Sequence, residues 1–169
     1  MRPQIVPFRT AILTISDRGS RGERQDLSGP ALKERLLEVE NFNVVLEKIV
    51  SDEPAEIEAA LIAWSDQKLV DLILTTGGTG FSPRDLAPEA TAAVIERPAP
   101  GFAEAMRAES LKLTPHAMIS RAISGIRKST LIVNFPGSPK AARECLEFIL
   151  PALPHALLKL AGDPSDCGS

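Results

Sequence analysis

The first half of the chain alternates between short apolar runs rich in β-branched residues and longer runs with a helical period of apolar positions. This alternation predicts the order β-α-β-α-β. The third strand is uniformly apolar from Leu72 to Leu74, which is typical of a strand that is buried on both faces of a parallel sheet. The predicted strands cover residues 10–16, 44–50 and 69–76, and the predicted helices cover residues 28–40 and 54–65.

The second half breaks this alternation with two neighbouring strands, which predict a hairpin or tight connection at residues 127–129. Ser138 and Pro139 suit the N-cap and the first position of a helix that ends near Leu150. Residues 163–169 are expected to form a frayed tail. The other predicted elements are helices over residues 88–96 and 101–113, strands over residues 122–126 and 130–134, and a last helix that ends at Gly162.

These elements predict one three-layer α/β/α domain over residues 1–169, with a mostly parallel sheet and a short antiparallel element. The length is ordinary for one domain, and no repeat, low-complexity segment or linker interrupts it. In sheets of this kind, ligands bind beyond the carboxyl ends of the strands. Functional residues are therefore expected in the loops that follow the strands.

Composition excludes several kinds of protein. The net charge of −3 gives no general attraction to nucleic acid or to an anionic membrane. No apolar run approaches the roughly 20 residues of a membrane helix, and the first residues lack the apolar core of a secretory signal, so a cytoplasmic location is expected. Cys145, Cys167, His116 and His155 show no ligand spacing, and neither a disulfide framework nor a zinc site is expected.

A glycine-rich loop follows the third strand and is itself followed by Arg84 and Asp85. Glycines at positions 77, 78 and 80 allow backbone N–H groups to approach an anion closely. Arg84 can pair with phosphate through a planar, two-pronged contact, and Asp85 can hold the hard cation that accompanies nucleotides. The alternative is a plain strand-to-helix turn, in which Asp85 caps something local.

Two better-known glycine motifs do not fit this loop. A P-loop has Lys followed by Ser or Thr after its last glycine, whereas Phe81 follows here. The dinucleotide fingerprint has Gly or Ala where this chain has Pro83. The chemistry of the loop has to be inferred from its neighbours.

Three more predicted strands end in loops with related chemistry: Ser16 and Asp17 follow the first strand, Asp52 follows the second, and the segment 134–138 follows the last. Two carboxylates and two glycine-bearing turns at one sheet edge predict a pocket for a metal and a nucleotide. Asp52 is equally suited to cap the helix that begins at Pro54, and Asp17 to cap a turn. Ser138 is expected to cap its helix, which would present free N–H groups to a phosphate.

The residues that are missing narrow the reaction. The chain has no Tyr, no Cys-His pair and no Ser with a plausible His base, so covalent acyl or glycosyl chemistry has few candidates. Phosphoryl or nucleotidyl transfer fits better, because an ionised phosphate that attacks needs no base to remove a proton. We therefore expect that replacing both histidines leaves activity largely intact.

At these residues the sequence resembles the family of molybdopterin adenylyltransferases, which includes bacterial MogA and the G domains of plant Cnx and of gephyrin. The resemblance covers nearly the whole chain. It is carried by several sequence blocks in the right order, namely residues 12–17, 71–85 with 88–91, 110–115 with 120–121, and 129–137.

The resemblance implies that AMP is transferred from ATP to the terminal phosphate of molybdopterin, with Mg²⁺ as the cofactor and pyrophosphate as the other product. It also implies a homotrimer and a contact with the molybdenum insertion enzyme. The two catalytic and metal-binding acids of the family map onto Asp52 and Asp85. The implied contacts with nucleotide and pterin phosphate are Ser16, Asp17, Gly77, Gly78, Thr79, Gly80, Arg84, Ser120, Arg121, Ser129, Asn134, Pro136, Gly137 and Ser138.

One departure and two alternatives accompany this resemblance. Relatives often have Asn or Gln at the position of Ser138, so a side-chain contact there can differ. A sister branch that resembles MoaB shares the fold, and some of its members lack the acidic pair and serve as pterin-binding or scaffold proteins. A phosphohydrolase that uses the same magnesium site is the third possibility that the residues allow.

Overall fold

The computed structural model describes residues 6–164, which form one six-stranded sheet with helices on both faces. The strands are Phe8–Ile15 (β1), Phe42–Val50 (β2), Leu72–Thr76 (β3), Arg97–Pro98 (β4), Ser124–Arg127 (β5) and Thr130–Phe135 (β6). The helices are Asp17–Ser20 (α1), Ser28–Leu37 (α2), Pro54–Asp66 (α3), Ala87–Val94 (α4), Gly101–Leu111 (α5), Pro139–Ile149 (α6) and Leu153–Leu160 (α7), and Pro115–Ile119 is a 3-10 helix.

The strands are arranged in the order β2-β1-β3-β6-β5-β4. The first four of these strands run parallel, while β5 and β4 are antiparallel to their neighbours. The β5–β6 pair is the predicted hairpin, and its turn is formed by Lys128, which has a φ of 51°, and Ser129. The three-layer α/β/α prediction, including the short antiparallel element, is therefore confirmed.

Alternate residues of the central strands face opposite helical layers, as the pleat of a strand requires. In β3, Leu72 and Leu74 pack with α2, α5, α6 and α7, whereas Ile73 packs with α3 and α4. All three side chains are completely buried. The uniformly apolar run in β3 thus reflects burial on both faces.

The structure differs from the predicted elements at several boundaries. Strand β3 begins at Leu72 instead of residue 69, because Lys68 adopts a left-handed conformation with φ 53° and the Leu69 N–H still bonds back to Trp64. Helix α2 ends at Leu37 instead of residue 40. The elements α1, β4 and the 3-10 helix were not predicted. The other ends differ by one or two residues, and most of the predicted tail, including Cys167, lies outside the described residues.

The connections that leave β1 and β3 diverge. Helix α2, which follows β1, packs on one face of the sheet, while α4, which follows β3, packs on the other. Neighbouring parallel strands whose following helices leave in opposite directions open a crevice at their carboxyl ends, and this is where ligands bind in such sheets. Among the described residues, no helix is both long and apolar enough to cross a membrane. The cytoplasmic location stays a prediction.

Candidate active site

Gly77 fixes the glycine loop against the sheet. Its φ of 100° lies in the left-handed region, and a Cβ at this position would stand 2.3 Å from the carbonyl oxygen of Ile15. Its N–H donates to the carbonyl of Phe135 at 3.1 Å. The N–H of Gly77 is thus used within the fold, and the phosphate contact predicted for this residue cannot come from that group as it stands.

The next three residues have backbone N–H groups available to a ligand. Within residues 6–164, the N–H groups of Gly78, Thr79 and Gly80 donate no hydrogen bond to the protein. Gly78 has a φ of 65°, and its carbonyl accepts from Ala87 at 3.1 Å. A run of free N–H groups in a turn of this kind attracts an anion. The anion-binding prediction therefore concerns positions 78–80.

Arg121 is bound to the glycine loop and to the residues after it by hydrogen bonds. Its Nε donates to the carbonyl of Gly80 at 2.8 Å, and its terminal nitrogens donate to the carbonyl of Asp85 and to the carboxylate of Glu89. Its backbone N–H donates to the carbonyl of Thr79 at 2.9 Å. The guanidinium nitrogens are all engaged, so Arg121 acts as a positioning residue of the loop in this structure.

Asp52 and Asp17 link the loops after β2 and β1 through a reciprocal pair of hydrogen bonds. The N–H of Asp17 donates to Oδ2 of Asp52 at 2.7 Å, and the N–H of Asp52 donates to Oδ1 of Asp17 at 3.0 Å. The N-cap of α3 is Glu53, which makes no side-chain cap. Asp52 is therefore not a helix cap, and its side chain is turned away from α3 toward the crevice.

Arg84 completes this corner of the site through three carboxylate contacts. Its Nε and Nη2 donate to the two oxygens of Asp17 at 3.0 and 2.8 Å, and its Nη1 donates to Glu53 at 2.6 Å. Arg84 keeps the pKa of Asp17 below its ordinary value, with a further contribution from the N–H of Asp52. A phosphate that binds Arg84 has to compete with these carboxylates.

The carboxylate of Asp85 closes the turn that follows the glycine loop. Its Oδ2 accepts from the N–H of Ser82 at 2.9 Å, and a Cβ added to Gly80 would stand 2.9 Å from the same oxygen. A glycine at position 80 thus leaves room for the carboxylate of Asp85. The sequence pattern Gly-x-x-x-x-Asp has a steric reason here, in addition to any contact with a ligand.

Asp52 and Asp85 line the same cavity, which we call the polar cavity. Its volume is about 450 Å³ and it lies at the carboxyl ends of β1, β3 and β6. Burial is the largest cause that raises the pKa of Asp52, and the charges of Asp17 and Asp85 raise it further against the effect of the Asp17 N–H. Other residues that line the cavity include Thr14, Ser16, Arg24, Gln25, Asp26, Ser28, Gly77, Gly78, Gly137 and Ser138.

A second cavity of about 460 Å³, the apolar cavity, adjoins the first between α5, the 3-10 helix and α6. Gly78, Asp85 and Gly137 line both cavities. The two glycine-bearing turns pack closely against each other here, because a Cβ on Gly137 would stand 3.2 Å from the Cα of Gly77. Other residues that line the apolar cavity include Thr79, Gly80, Met106, Arg107, Ser110, Leu113, Thr114, His116, Ile119, Ser120, Pro136, Glu144 and Cys145.

Several of these residues were not predicted as site residues. Arg107, Ser110 and Thr114 lie on α5 and the segment after it, and only the 110–115 sequence block pointed to that region. His116 lines the apolar cavity, although it shows no ligand spacing in the sequence. Arg24 and Gln25 line the polar cavity from a loop with no recognisable motif.

Two predicted contacts lie elsewhere in the fold. Asn134 is completely buried, with Nδ2 donating to Thr75 and Thr91 at 2.9 Å each and Oδ1 accepting from the N–H of Ile123 at 3.2 Å. Its side chain is thus fully used in the core. Ser129 lies in the turn before β6, at the opposite end of the strands from the cavities. This chain does not bring Ser129 to the site.

Four more of the predicted site residues line the two cavities. Ser16 caps α1 and lines the polar cavity, and Ser138 caps α6 there through the N–H of Ala141 at 3.4 Å, which confirms the predicted cap. Ser120 and Pro136 line the apolar cavity. Asp17 donates its backbone N–H to Asp52 and is not among the residues that line either cavity.

With Asp52 and Asp85 on one cavity, the site offers two carboxylates that could hold a magnesium ion together with a ligand. Among residues 6–164, no group of three or more His, Cys, Asp or Glu side chains is arranged to hold a metal by itself. Mg²⁺ commonly binds through one or two carboxylates together with substrate phosphates. Asp52 and Asp85 meet this requirement only if a ligand supplies further oxygens.

The chain is similar in sequence to molybdopterin adenylyltransferases. The chain is 46% identical to the molybdopterin adenylyltransferase of Helicobacter pylori over 153 residues, which is 90% of this chain and 87% of that protein. It is 45% identical to the molybdopterin adenylyltransferase of Escherichia coli K12 over 141 residues, which is 83% of this chain and 72% of that protein.

The fold also matches solved structures. The crystal structure of the molybdopterin biosynthesis enzyme MoaB from Thermus thermophilus superposes with a TM-score of 0.87 at 51% identity, covering 94% of this chain and 99% of that one. Residues 11–155 match the family model described as "Probable molybdopterin binding domain". This match spans the crevice, both aspartates and both cavities, and the chain accordingly belongs to the family of probable molybdopterin-binding domains.

Proposed function

We propose that the protein is a molybdopterin adenylyltransferase of molybdenum cofactor biosynthesis, which transfers AMP from ATP to the terminal phosphate of molybdopterin. The observation that carries this proposal is the placement of Asp52 and Asp85 on one cavity, with Asp85 also lining the neighbouring one. Relatives with this name, 45–46% identical over most of the chain, support the same activity.

The two cavities suit two substrates. We assign the nucleotide to the polar cavity and the pterin to the apolar cavity, whose side chains include Met106, Leu113 and Ile119. The phosphates of the two substrates then meet at the shared residues Gly78, Asp85 and Gly137. The free N–H groups at positions 78–80 belong to residues that line the apolar cavity, with Gly78 on the polar cavity too, and they are the candidate donors to the reacting phosphates.

The reaction needs positioning and charge screening more than proton transfer. An oxygen of the pterin phosphate attacks the α-phosphorus of ATP, and the bond from that phosphorus to the oxygen shared with the β-phosphate breaks. The electron pair leaves with pyrophosphate, and adenylyl-molybdopterin is the second product. Because the attacking phosphate is already ionised, this chemistry requires no general base from the protein.

Asp52 and Asp85 are the residues that would hold Mg²⁺ together with the nucleotide. Oδ2 of each carboxylate accepts a backbone N–H, whereas Oδ1 of each has no hydrogen-bond partner within residues 6–164. A bound Mg²⁺ would supply positive charge where two anionic substrates approach each other. Burial and the charges of Asp17 and Asp85 raise the pKa of Asp52, as expected for a carboxylate that a bound cation would stabilise.

A non-catalytic pterin-binding protein is the second candidate, because the Thermus thermophilus structure at 51% identity is described as MoaB. Incubation with ATP, Mg²⁺ and molybdopterin separates the possibilities. Release of pyrophosphate only when the pterin is present supports the transferase. No release supports the binding protein, and release of phosphate or pyrophosphate without the pterin supports a hydrolase.

Substitution of each aspartate tests the assignment further. Asp52→Asn and Asp85→Asn are expected to lower kcat at least about 100-fold while the affinity for molybdopterin changes little, since lost positioning acts on the reacting groups. Glu34→Gln removes an exposed carboxylate on α2 and serves as the matched control. An Asp85→Asn variant that turns over at the wild-type rate would contradict the assignment.

We also propose a homotrimer, as the resemblance implies, and a contact with the molybdenum insertion enzyme. Large exposed apolar side chains support an association surface: Leu113, which lines the apolar cavity, is 60% exposed, and Phe81 and Met118, which adjoin lining residues in the sequence, are 70% and 69% exposed. Light scattering coupled to size-exclusion chromatography tests the first proposal. A particle of three times the chain mass of 18.1 kDa is expected, and a monomer would contradict it.

A further inference from the structure

The loop between α1 and α2, residues 21–27, is fixed at both ends beside the polar cavity. At its start, the N–H of Glu23 donates to the carbonyl of Arg18 at 2.9 Å. At its end, Oδ1 of Asp26 accepts from the N–H groups of Ser28 and Gly29 at 3.0 and 3.1 Å. Oδ2 of Asp26 accepts from the hydroxyl of Thr14 on β1 at 2.6 Å.

These anchors leave Arg24 and Gln25 on a short span that faces the cavity. The anchors also use the first N–H groups of α2, so the N-terminus of that helix is not the group that receives an anion here. The side chain that can bind an anion belongs to the loop itself.

Arg24 is the one cationic side chain among the described residues that line the polar cavity. It forms no hydrogen bond or ion pair within residues 6–164. The neighbouring arginines are engaged, because Arg21 pairs with Glu23 at 2.8 Å and Arg84 pairs with Asp17 and Glu53. A free guanidinium in a cavity whose other charged groups are carboxylates is available to an anionic ligand.

The order of the two cavities indicates which part of the ligand reaches Arg24. This step rests on the proposed function. In an in-line displacement, the leaving group lies on the far side of the phosphorus from the attacking oxygen. If the pterin phosphate attacks from the apolar cavity across the junction at Asp85, the pyrophosphate portion of ATP must extend into the polar cavity.

We propose that Arg24 binds the β- and γ-phosphates of ATP and the pyrophosphate product. Asp26 is then a positioning residue, because it fixes the loop that carries Arg24. Arg24 touches no reacting bond in this assignment, and its contribution is to hold the leaving group and to offset the charge that accumulates on it when the phosphorus–oxygen bond breaks.

Calorimetric titration with pyrophosphate and with AMP, each in the presence of Mg²⁺, tests this proposal. Arg24→Ala is expected to weaken pyrophosphate binding about tenfold or more, as for the loss of a charge-assisted hydrogen bond. AMP binding is expected to change less than about twofold, because AMP lacks the phosphates that Arg24 contacts. Arg24→Lys is expected to recover part of the loss.

Arg18→Ala is the matched control, since Arg18 is exposed on the neighbouring helix α1 and does not line the cavity. Unchanged pyrophosphate affinity in Arg24→Ala would overturn the proposal. An equal loss for AMP would overturn it too, and so would an equal loss in Arg18→Ala. Unfolding curves that coincide with those of the wild type establish that each variant is folded.

The binding measurements require no turnover, so they stand apart from the proposed function. If the wild type releases no pyrophosphate with molybdopterin and yet Arg24→Ala selectively loses pyrophosphate affinity, the anion site holds and the transferase assignment fails. If turnover is normal but pyrophosphate affinity is unaffected by Arg24→Ala, the assignment of Arg24 fails alone.

Discussion

Asp52 shows how a single residue of the site can oppose stability. Its carboxylate is partly buried between Asp17 and Asp85, and burial together with these charges raises its pKa above the ordinary value. The charged form is therefore less favourable in the folded protein than in the unfolded chain. Strain of this electrostatic kind is common where a carboxylate awaits a cation.

Asp52→Asn is expected to raise the melting temperature at neutral pH. Because the pKa of Asp52 is raised in the folded state, the protonated side chain costs no stability below the unfolded pKa. The destabilisation by the charged side chain develops as the pH rises through the folded pKa. The gain from the substitution should therefore shrink as the pH falls toward about 4. Thermal unfolding between pH 4 and pH 8 measures this trend.

Asp66→Asn serves as the opposite case. Arg127 lowers the pKa of Asp66, so its stabilising effect is present above the unfolded pKa and is lost as the pH falls through the folded pKa. This variant should lose stability at neutral pH, by a small amount because the pair is partly exposed. An Asp52→Asn variant that follows the same trend as Asp66→Asn would contradict the electrostatic explanation.

Gly77→Ala is expected to lower the free energy of unfolding by about 3 kcal/mol or more, since a left-handed backbone and a steric conflict add to each other. The conflict is with a carbonyl oxygen of β1, which cannot swing aside as a flexible side chain can. Denaturation in urea measures the loss. Gly22→Ala, with φ 71° and open space around the Cβ position, should cost only about 1–2 kcal/mol. Equal losses in the two variants would contradict the steric argument.

The elements of the sheet were largely predictable because each central strand is a buried, β-branched run with a defined end. Strand β4 was not, since Arg97 and Pro98 have no strand character of their own and pair only because β5 offers an antiparallel edge. The start of β3 at Leu72 depended on the left-handed turn at Lys68. Local pattern does not contain either of these tertiary constraints.

The site was predictable in its residue types but not in its internal pairing. The carboxylates and glycines at strand ends indicated a pocket for a metal and a nucleotide, and Asp52 and Asp85 do line one cavity. The sequence could not reveal that Asp17 binds Arg84 and supports Asp52. Distant segments decide which polar side chains satisfy one another, and this information exists only in the folded chain.

Asn134 joins three elements through one buried amide, and its loss should be costly. Asn134→Ala removes the donor to Thr75 on β3 and Thr91 on α4, and the acceptor for the N–H of Ile123. We expect a loss of about 2–4 kcal/mol, because buried polar groups are left without partners. Chemical denaturation measures this loss.

Asn43→Ala is the matched control for that variant. Asn43 is exposed on the edge strand β2, and its substitution should change the free energy of unfolding by less than about 0.5 kcal/mol. If Asn134→Ala proves as mild as Asn43→Ala, the buried network does not contribute as described. The same result would reopen a role for the Asn134 side chain in ligand binding.

The molecule as a whole presents two cavities side by side at the carboxyl ends of its parallel strands, and residues of α1, α2, α5, α6 and the 3-10 helix contribute to their walls. Neither cavity holds a complete metal site among the described residues. Removal of Mg²⁺ with a chelator should therefore abolish pyrophosphate release but leave the melting temperature of the nucleotide-free protein unchanged. A lowered melting temperature would reveal a metal that the protein binds without its ligand.

Among the described residues, only Gly78, Asp85 and Gly137 line both cavities, and the two glycines belong to glycine-bearing turns that pack against each other. Most substitutions in one chamber therefore leave the other untouched. A lineage can reshape the compartment formed by α5 and α6 to accept a different acceptor molecule and still inherit its handling of nucleotides unaltered. Each cavity can thus change separately in evolution, except at the three shared positions, where a substitution affects both cavities.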